Sequence, residues 1–284
     1  MIRLSAATVL LQWAVGGLLF LWVTTRRREG GLGYGWLLRG VSSVMAVGAC
    51  AAGRLVGPDP ARDAGALAVA TTAAVALVVS IVRRGAGVAG QRAQEERRRA
   101  RVAAMIGREH AAAGKAGTGA EFPPALDLIA PVIGVAALIA AAVADGGPNG
   151  LAIVRTLIGA AFLGAVTDAM LLGHWYLVQP GLGRGPVNEL VRLVIYIWPL
   201  EVAALLWPTG MVQVLNGHID DGYGGILGWF WVACTVSTLA LCFVTLAALK
   251  ERSYSAVMAA TGLMYLAILT AFGTDLVARA ILAG

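Results

Sequence analysis

The stretch ALDLIAPVIGVAALIAAAVADGGPNGLAIVRTLIGAAFLGAVTDAMLLGHWYLV, residues 125–178, holds the pattern that the rest of the chain repeats. Residues 125–144 form one apolar run, and residues 151–178 form another. Between them, Asp145 to Gly150 read Asp-Gly-Gly-Pro-Asn-Gly, a sequence of turn formers that neither a helix nor a strand continues through. A bilayer core about 30 Å thick is crossed by about 20 apolar helical residues. Two runs of that length joined by a tight turn are therefore read as two antiparallel membrane spans.

The same pattern recurs on both sides. Apolar runs cover residues 5–24, 36–55, 64–82, 187–207, 224–249 and 254–272, which makes eight with the first two. The expected fold is an all-α polytopic membrane bundle of about eight transmembrane helices. Spans one to three occupy 1–82, a basic loop occupies 83–124, and spans four to eight occupy 125–284. Composition agrees: 58% of the 284 residues are hydrophobic and only 13% are charged, where a soluble domain carries about a quarter. The mean hydropathy is +0.77. The first run has Arg26, Arg27 and Arg28 behind it and only Arg3 in front, the reverse of a secretory signal, so it reads as a retained helix.

The net charge of +6 invites a nucleic-acid reading, but the placement of the charges argues against one. When loops alternate across the membrane, one side collects 17 of the 22 Lys and Arg, at 26–28, 39, 83, 84, 92, 97–99, 101, 108, 115, 184, 192, 250 and 252. The other side holds Arg3, Arg54, Arg62, Arg155 and Arg279. Basic loops stay in the cytoplasm. The expectation is therefore that 83–124 is cytoplasmic, both termini are extracytoplasmic, and no nucleic acid is involved. Arginine greatly outnumbers lysine, and alanine and glycine are abundant. That bias points to a high-G+C bacterial chromosome and hence a bacterial plasma membrane.

Within the basic loop, residues 91–102 are strong helix formers without a breaker. Val102, Met105 and Ile106 add a short apolar strip. Residues 91–108 are therefore expected to be helical, with contact to anionic lipid as one reading and a solvated loop as the other. Gly114-Lys115 lacks the glycine spacing and the Ser/Thr of a phosphate-binding loop.

Ionisable residues inside spans are costly and mark candidate sites. Arg39, Asp168, His174, Glu189 and Arg192 fall in the inner halves of spans two, five and six, with Tyr176 and Tyr196 nearby. These seven are the expected ligand-binding residues, grouped in one pocket open to the cytoplasm. Glu189, Arg192 and Tyr196 share a helical face, whereas Asp168 and His174 lie about 120° apart on theirs. Three readings follow. Asp168 pairs with Arg39 or Arg192 for structure alone. The pocket holds a small molecule, a quinone headgroup or a proton titrating His174. Or His174 acts as a general base oriented by Asp168, which the phase difference disfavours. Nearer the outer side, Arg155 and Glu201 are placed to pair, as are Asp275 and Arg279.

No cofactor is indicated. Cys50, Cys234 and Cys242 lie in apolar runs without metal-ligand spacing, and His174 is the lone histidine within a span, since His110 and His218 fall in loops. The functional expectation is a non-enzymatic small-molecule or proton-handling carrier, or an accessory subunit of a membrane complex. Its partners would be the bilayer and either other subunits or further copies of the chain. A membrane-embedded enzyme or quinone/redox subunit is the alternative.

Overall fold

The computed structural model describes residues 4–27, 31–88, 92, 96, 100, 120–146, 150–179, 183–208, 210–251 and 253–283. Most of the expected 91–108 helix lies outside these. The eight long helices among the described residues are α1 (Ala6–Thr25), α2 (Leu32–Val56), α3 (Pro60–Val82), α4 (Leu126–Gly146), α5 (Gly150–Val178), α6 (Gly185–Leu206), α7 (Ile226–Ala248) and α8 (Tyr254–Leu282). A single 3-10 turn follows α3, and a one-turn helix, Met211–Leu215, lies between α6 and α7. No strand occurs among the described residues. The protein is an all-α polytopic bundle.

Seven of the eight are long and apolar enough to cross a membrane. The exception is α6, where Glu189, Arg192 and Glu201 dilute an otherwise apolar stretch of 22 residues. Consecutive helices run antiparallel, so two ends can be defined. The basic end holds the finish of α1, α3, α5 and α7, and the opposite end holds their beginnings. Bonds at each end fix this arrangement. Arg184, at the start of α6, donates to the carbonyls of Leu249 at 3.1 Å and Ser253 at 2.9 Å, joining α6 to the α7–α8 turn. At the opposite end Thr8 of α1 donates to Asp145 of α4.

Local chemistry sets the helix starts. Asp59 caps α3 by accepting from the Arg62 amide at 2.7 Å, with Pro60 in the first turn where its missing N–H costs nothing. Ser253 caps α8. Asp221 organises the loop before α7, accepting amides of Tyr223 (2.9 Å), Gly225 (2.8 Å), Leu227 (2.8 Å) and Gly228 (3.2 Å). These bonds, with that of Gly225 first, hold its carboxyl below the usual carboxylate range.

The centre of the bundle is α1 and α5, the two most enclosed helices. They meet backbone to backbone. A Cβ on Gly16 would lie 1.9 Å from the Ala160 carbonyl oxygen, and one on Gly164 would lie 2.2 Å from the Gly16 carbonyl carbon. Only glycine permits this approach, which is how helices gain contact area in lipid. Four indole N–H groups tie neighbouring helices. Trp13 reaches Thr167 Oγ1 at 2.9 Å and Trp36 reaches Ser80 Oγ at 3.0 Å. Trp198 reaches the Thr235 carbonyl at 2.9 Å and Trp231 the Thr274 carbonyl at 3.0 Å. The outside is apolar, with Val44, Leu55, Val132, Leu200, Trp229 and Leu269 exposed. A surface of that kind suits lipid contact.

Candidate functional site

The structure distributes the seven expected residues over separate places instead of one pocket. Arg39 is sealed among α1–α4 and grips Asp127, its Nε 2.7 Å from Oδ1 and one Nη 2.7 Å from Oδ2. Thr25 donates to the same carboxylate at 2.9 Å, and the Phe122 ring covers the guanidinium at 4.3 Å. The expected pairing of Arg39 with Asp168 is thus corrected. Asp127 sits at the start of α4, level with Arg39 at the basic end, and takes one edge of the guanidinium, while the remaining Nη lies 3.4 Å from Ser80 Oγ.

Asp168 lies on α5, ten residues before its end at Val178, about 15 Å from the basic end at 1.5 Å per residue. It is 0% exposed and forms no ion pair among the described residues, with Arg192 or any other cation. The Tyr34 hydroxyl is 3.5 Å from Oδ2 and 3.4 Å from the Asp168 carbonyl oxygen, and Oδ1 meets no donor among the described residues. Gly17 of α1 keeps this corner open. A Cβ there would lie 3.5 Å from Ser42 Oγ and 3.7 Å from Asp168 Oδ1.

His174 points away from Asp168, as the helical phase required. It is exposed, and its Nδ1 is 3.2 Å from the Tyr265 hydroxyl of α8. No histidine–carboxylate dyad forms there. Tyr176 is buried and donates to the Gly183 carbonyl, pinning the α5–α6 connection. Glu189, Arg192 and Tyr196 do come together, lining an open groove of about 690 Å³ at the basic end with Arg27 and Lys250. Glu189 is bound there by Arg26 at 2.5 Å and Arg27 at 3.1 Å.

A second buried polar group, near the opposite end, joins α1, α5, α6 and α8. Arg279 Nε contacts both Asp275 oxygens at 2.9 Å, the pair expected within α8. Arg155 Nε donates to the Ala204 carbonyl at 2.7 Å, and Gln12 Nε2 to the Thr156 carbonyl at 2.8 Å. Glu201 is 0% exposed and within electrostatic range of Asp275, Arg279 and Arg155. Among the described residues, Gln12 Oε1 and Arg279 Nη1 lack a hydrogen-bond partner, and the Glu201 carboxyl has no well-formed hydrogen bond, its nearest polar neighbour being Asp275. Gly159 lets the cluster close, since a Cβ there would meet Asp275 Oδ1 at 2.9 Å and Arg279 Nη2 at 3.0 Å.

Sequence reasoning missed Asp127, Tyr34, Gly17 and Gln12. Asp127 carried a usable signal, a carboxylate in the first turn of a span at the depth of Arg39. Tyr34 fell outside the apolar run and gave none. Among the described residues no set of His, Cys, Asp and Glu converges as a metal site requires. Searches against family models, curated proteins and solved structures return no match, so the functional reading rests on this geometry.

Proposed function

We propose that the chain is a proton-handling membrane carrier in which Asp168 exchanges the proton. The observation that carries this reading is a carboxyl fully sealed inside the bundle, with no cation paired to it and one oxygen unbonded among the described residues. An ionised aspartate at such depth costs about 3 kcal/mol on insertion scales, so it is retained where it acts. No cation among the described residues pairs with it, so a bound proton is what neutralises it in the sealed state, and in this reading that proton is the one exchanged. Arg39 and Asp127 give the contrast, since they satisfy each other and serve packing.

The polar cluster around Glu201 supports a second station. It lies about 20 Å from Asp168 along α5, as the 13 residues from Arg155 imply. The Gly16–Gly164 crossing lies between the two stations on the same α1–α5 seam. A route for protons would follow this seam, gated where the two backbones touch. The enzyme alternative gains no support, because His174 and Asp168 point apart.

Protein reconstituted in liposomes with a trapped pH dye tests this reading. Under an imposed proton gradient the wild type should change the internal pH faster than empty vesicles. Asp168→Asn should fall to the empty-vesicle rate, while Arg54→Gln, exposed at the opposite end of α2, should retain the wild-type rate. Flux through Asp168→Asn equal to wild type would overturn the role of Asp168, and a wild type no faster than empty vesicles would overturn the transport reading.

A further inference from the structure

We infer that the groove between α6 and the end of α7 binds the phosphate headgroup of an anionic phospholipid. The groove is lined by Arg27, Arg192 and Lys250. Its single carboxylate, Glu189, is already taken up by Arg26 and Arg27. The side chains of Arg192 and Lys250 have no hydrogen-bond or ion-pair partner among the described residues. Two basic side chains aimed into one cleft, with the local carboxylate neutralised, make a receptor for an anion.

The walls identify the anion as a lipid and not a soluble phosphate. On α6, Leu193, Tyr196 and Leu200 follow i, i+3, i+7 spacing and form one stripe leading away from the groove. Tyr196 is 68% and Leu200 56% exposed, although both are large and apolar. On α7, Phe243 stands one heptad before Lys250 and is 55% exposed. The site therefore has a cationic mouth at the basic end and apolar flanks running along the helices. A headgroup sits in the first while its acyl chains lie on the second. A free phosphate would use only the mouth. The assignment does not depend on proton exchange at Asp168.

Native mass spectrometry of the full-length protein, with phosphatidylglycerol, phosphatidylcholine and inorganic phosphate added in turn, tests it. Wild type should bind one phosphatidylglycerol in preference to phosphatidylcholine. The double variant R192Q/K250Q should lose about 30-fold in that preference, from the attraction that two basic side chains contribute at an anionic headgroup. Arg54→Gln should lose none. Both substituted side chains are exposed, and an unchanged melting temperature verifies that the variant is folded. Equal binding by wild type and double variant, or equal binding of the two lipids, overturns the site. Displacement of the lipid by millimolar phosphate overturns its assignment to a lipid.

Discussion

Asp168 and Asp127 are both buried aspartates, yet substitution should affect them in opposite ways. Asp127 is half of a closed pair with Arg39. Replacing it with leucine strands a buried guanidinium, which costs about 3–5 kcal/mol. Adding Arg39→Met in the same chain should recover most of that loss. Thermal melts in detergent of the two single variants and the double variant give the comparison. Asp168→Leu strands no charge, and the Tyr34 hydroxyl keeps the Asp168 backbone carbonyl at 3.4 Å as acceptor, so stability should stay within about 1.5 kcal/mol of wild type. A large loss there would mean that Asp168 has a structural partner. The inability of sequence alone to pair Arg39 correctly has a physical source. Helical phase fixes the angle between residues of one helix, but not how two helices 88 residues apart turn toward each other. The 120° separation of Asp168 and His174 lies within one helix, and there the sequence reading held.

At the scale of helices, glycines mark where α1 and α5 touch. Gly16→Ala would place a methyl group 1.9 Å from a backbone oxygen, and backbone cannot move aside as a flexible side chain can. The helices would have to separate, with a loss of about 1–3 kcal/mol. Gly40→Ala on α2 meets nothing within 4 Å and should be neutral or gain up to about 1 kcal/mol from helix propensity. Melting temperatures of the two variants should therefore shift in opposite directions, or only that of Gly16→Ala should fall. The Asp221 loop carries a pH dependence. Its carboxyl is held low by the amides at the start of α7, so its stabilising effect is present above the ordinary aspartate range and is lost as pH falls through the lowered value. Asp221→Ala should melt earlier than wild type near neutral pH, and the difference should shrink in strong acid. Helix ends were legible to a few residues wherever a cap or a proline stood. The eighth run was read to about residue 272 or a little beyond, with Asp275 and Arg279 on the same helix, and α8 continues to Leu282. Hydropathy weakens at Asp275 and Arg279, but inside the bundle these two satisfy each other and the helix goes on.

For the whole molecule, run length and loop charge were enough to give an all-α membrane bundle, because the bilayer imposes one length and one way of satisfying backbone groups. The interior was less legible. In lipid the helices associate through close packing and polar contacts, whose partners come from any part of the chain, so the Glu201 cluster draws on four helices at once. We propose that the basic end faces the cytoplasm, where basic loops are held during insertion. Single cysteines at exposed Arg54 and Arg84 should then differ in intact cells, with the first reacting with an impermeant maleimide and the second reacting only after lysis. Labelling of both, or the reverse pattern, would invert the topology.

The proposed proton exchange takes place on Asp168, a carboxyl sealed within the bundle. Infrared difference spectroscopy of the reconstituted protein, stepped in pH, reads it directly. A carboxylic C=O band that titrates in the wild type and disappears in Asp168→Asn is the predicted result. A spectrum in which the two proteins respond to pH identically would contradict it.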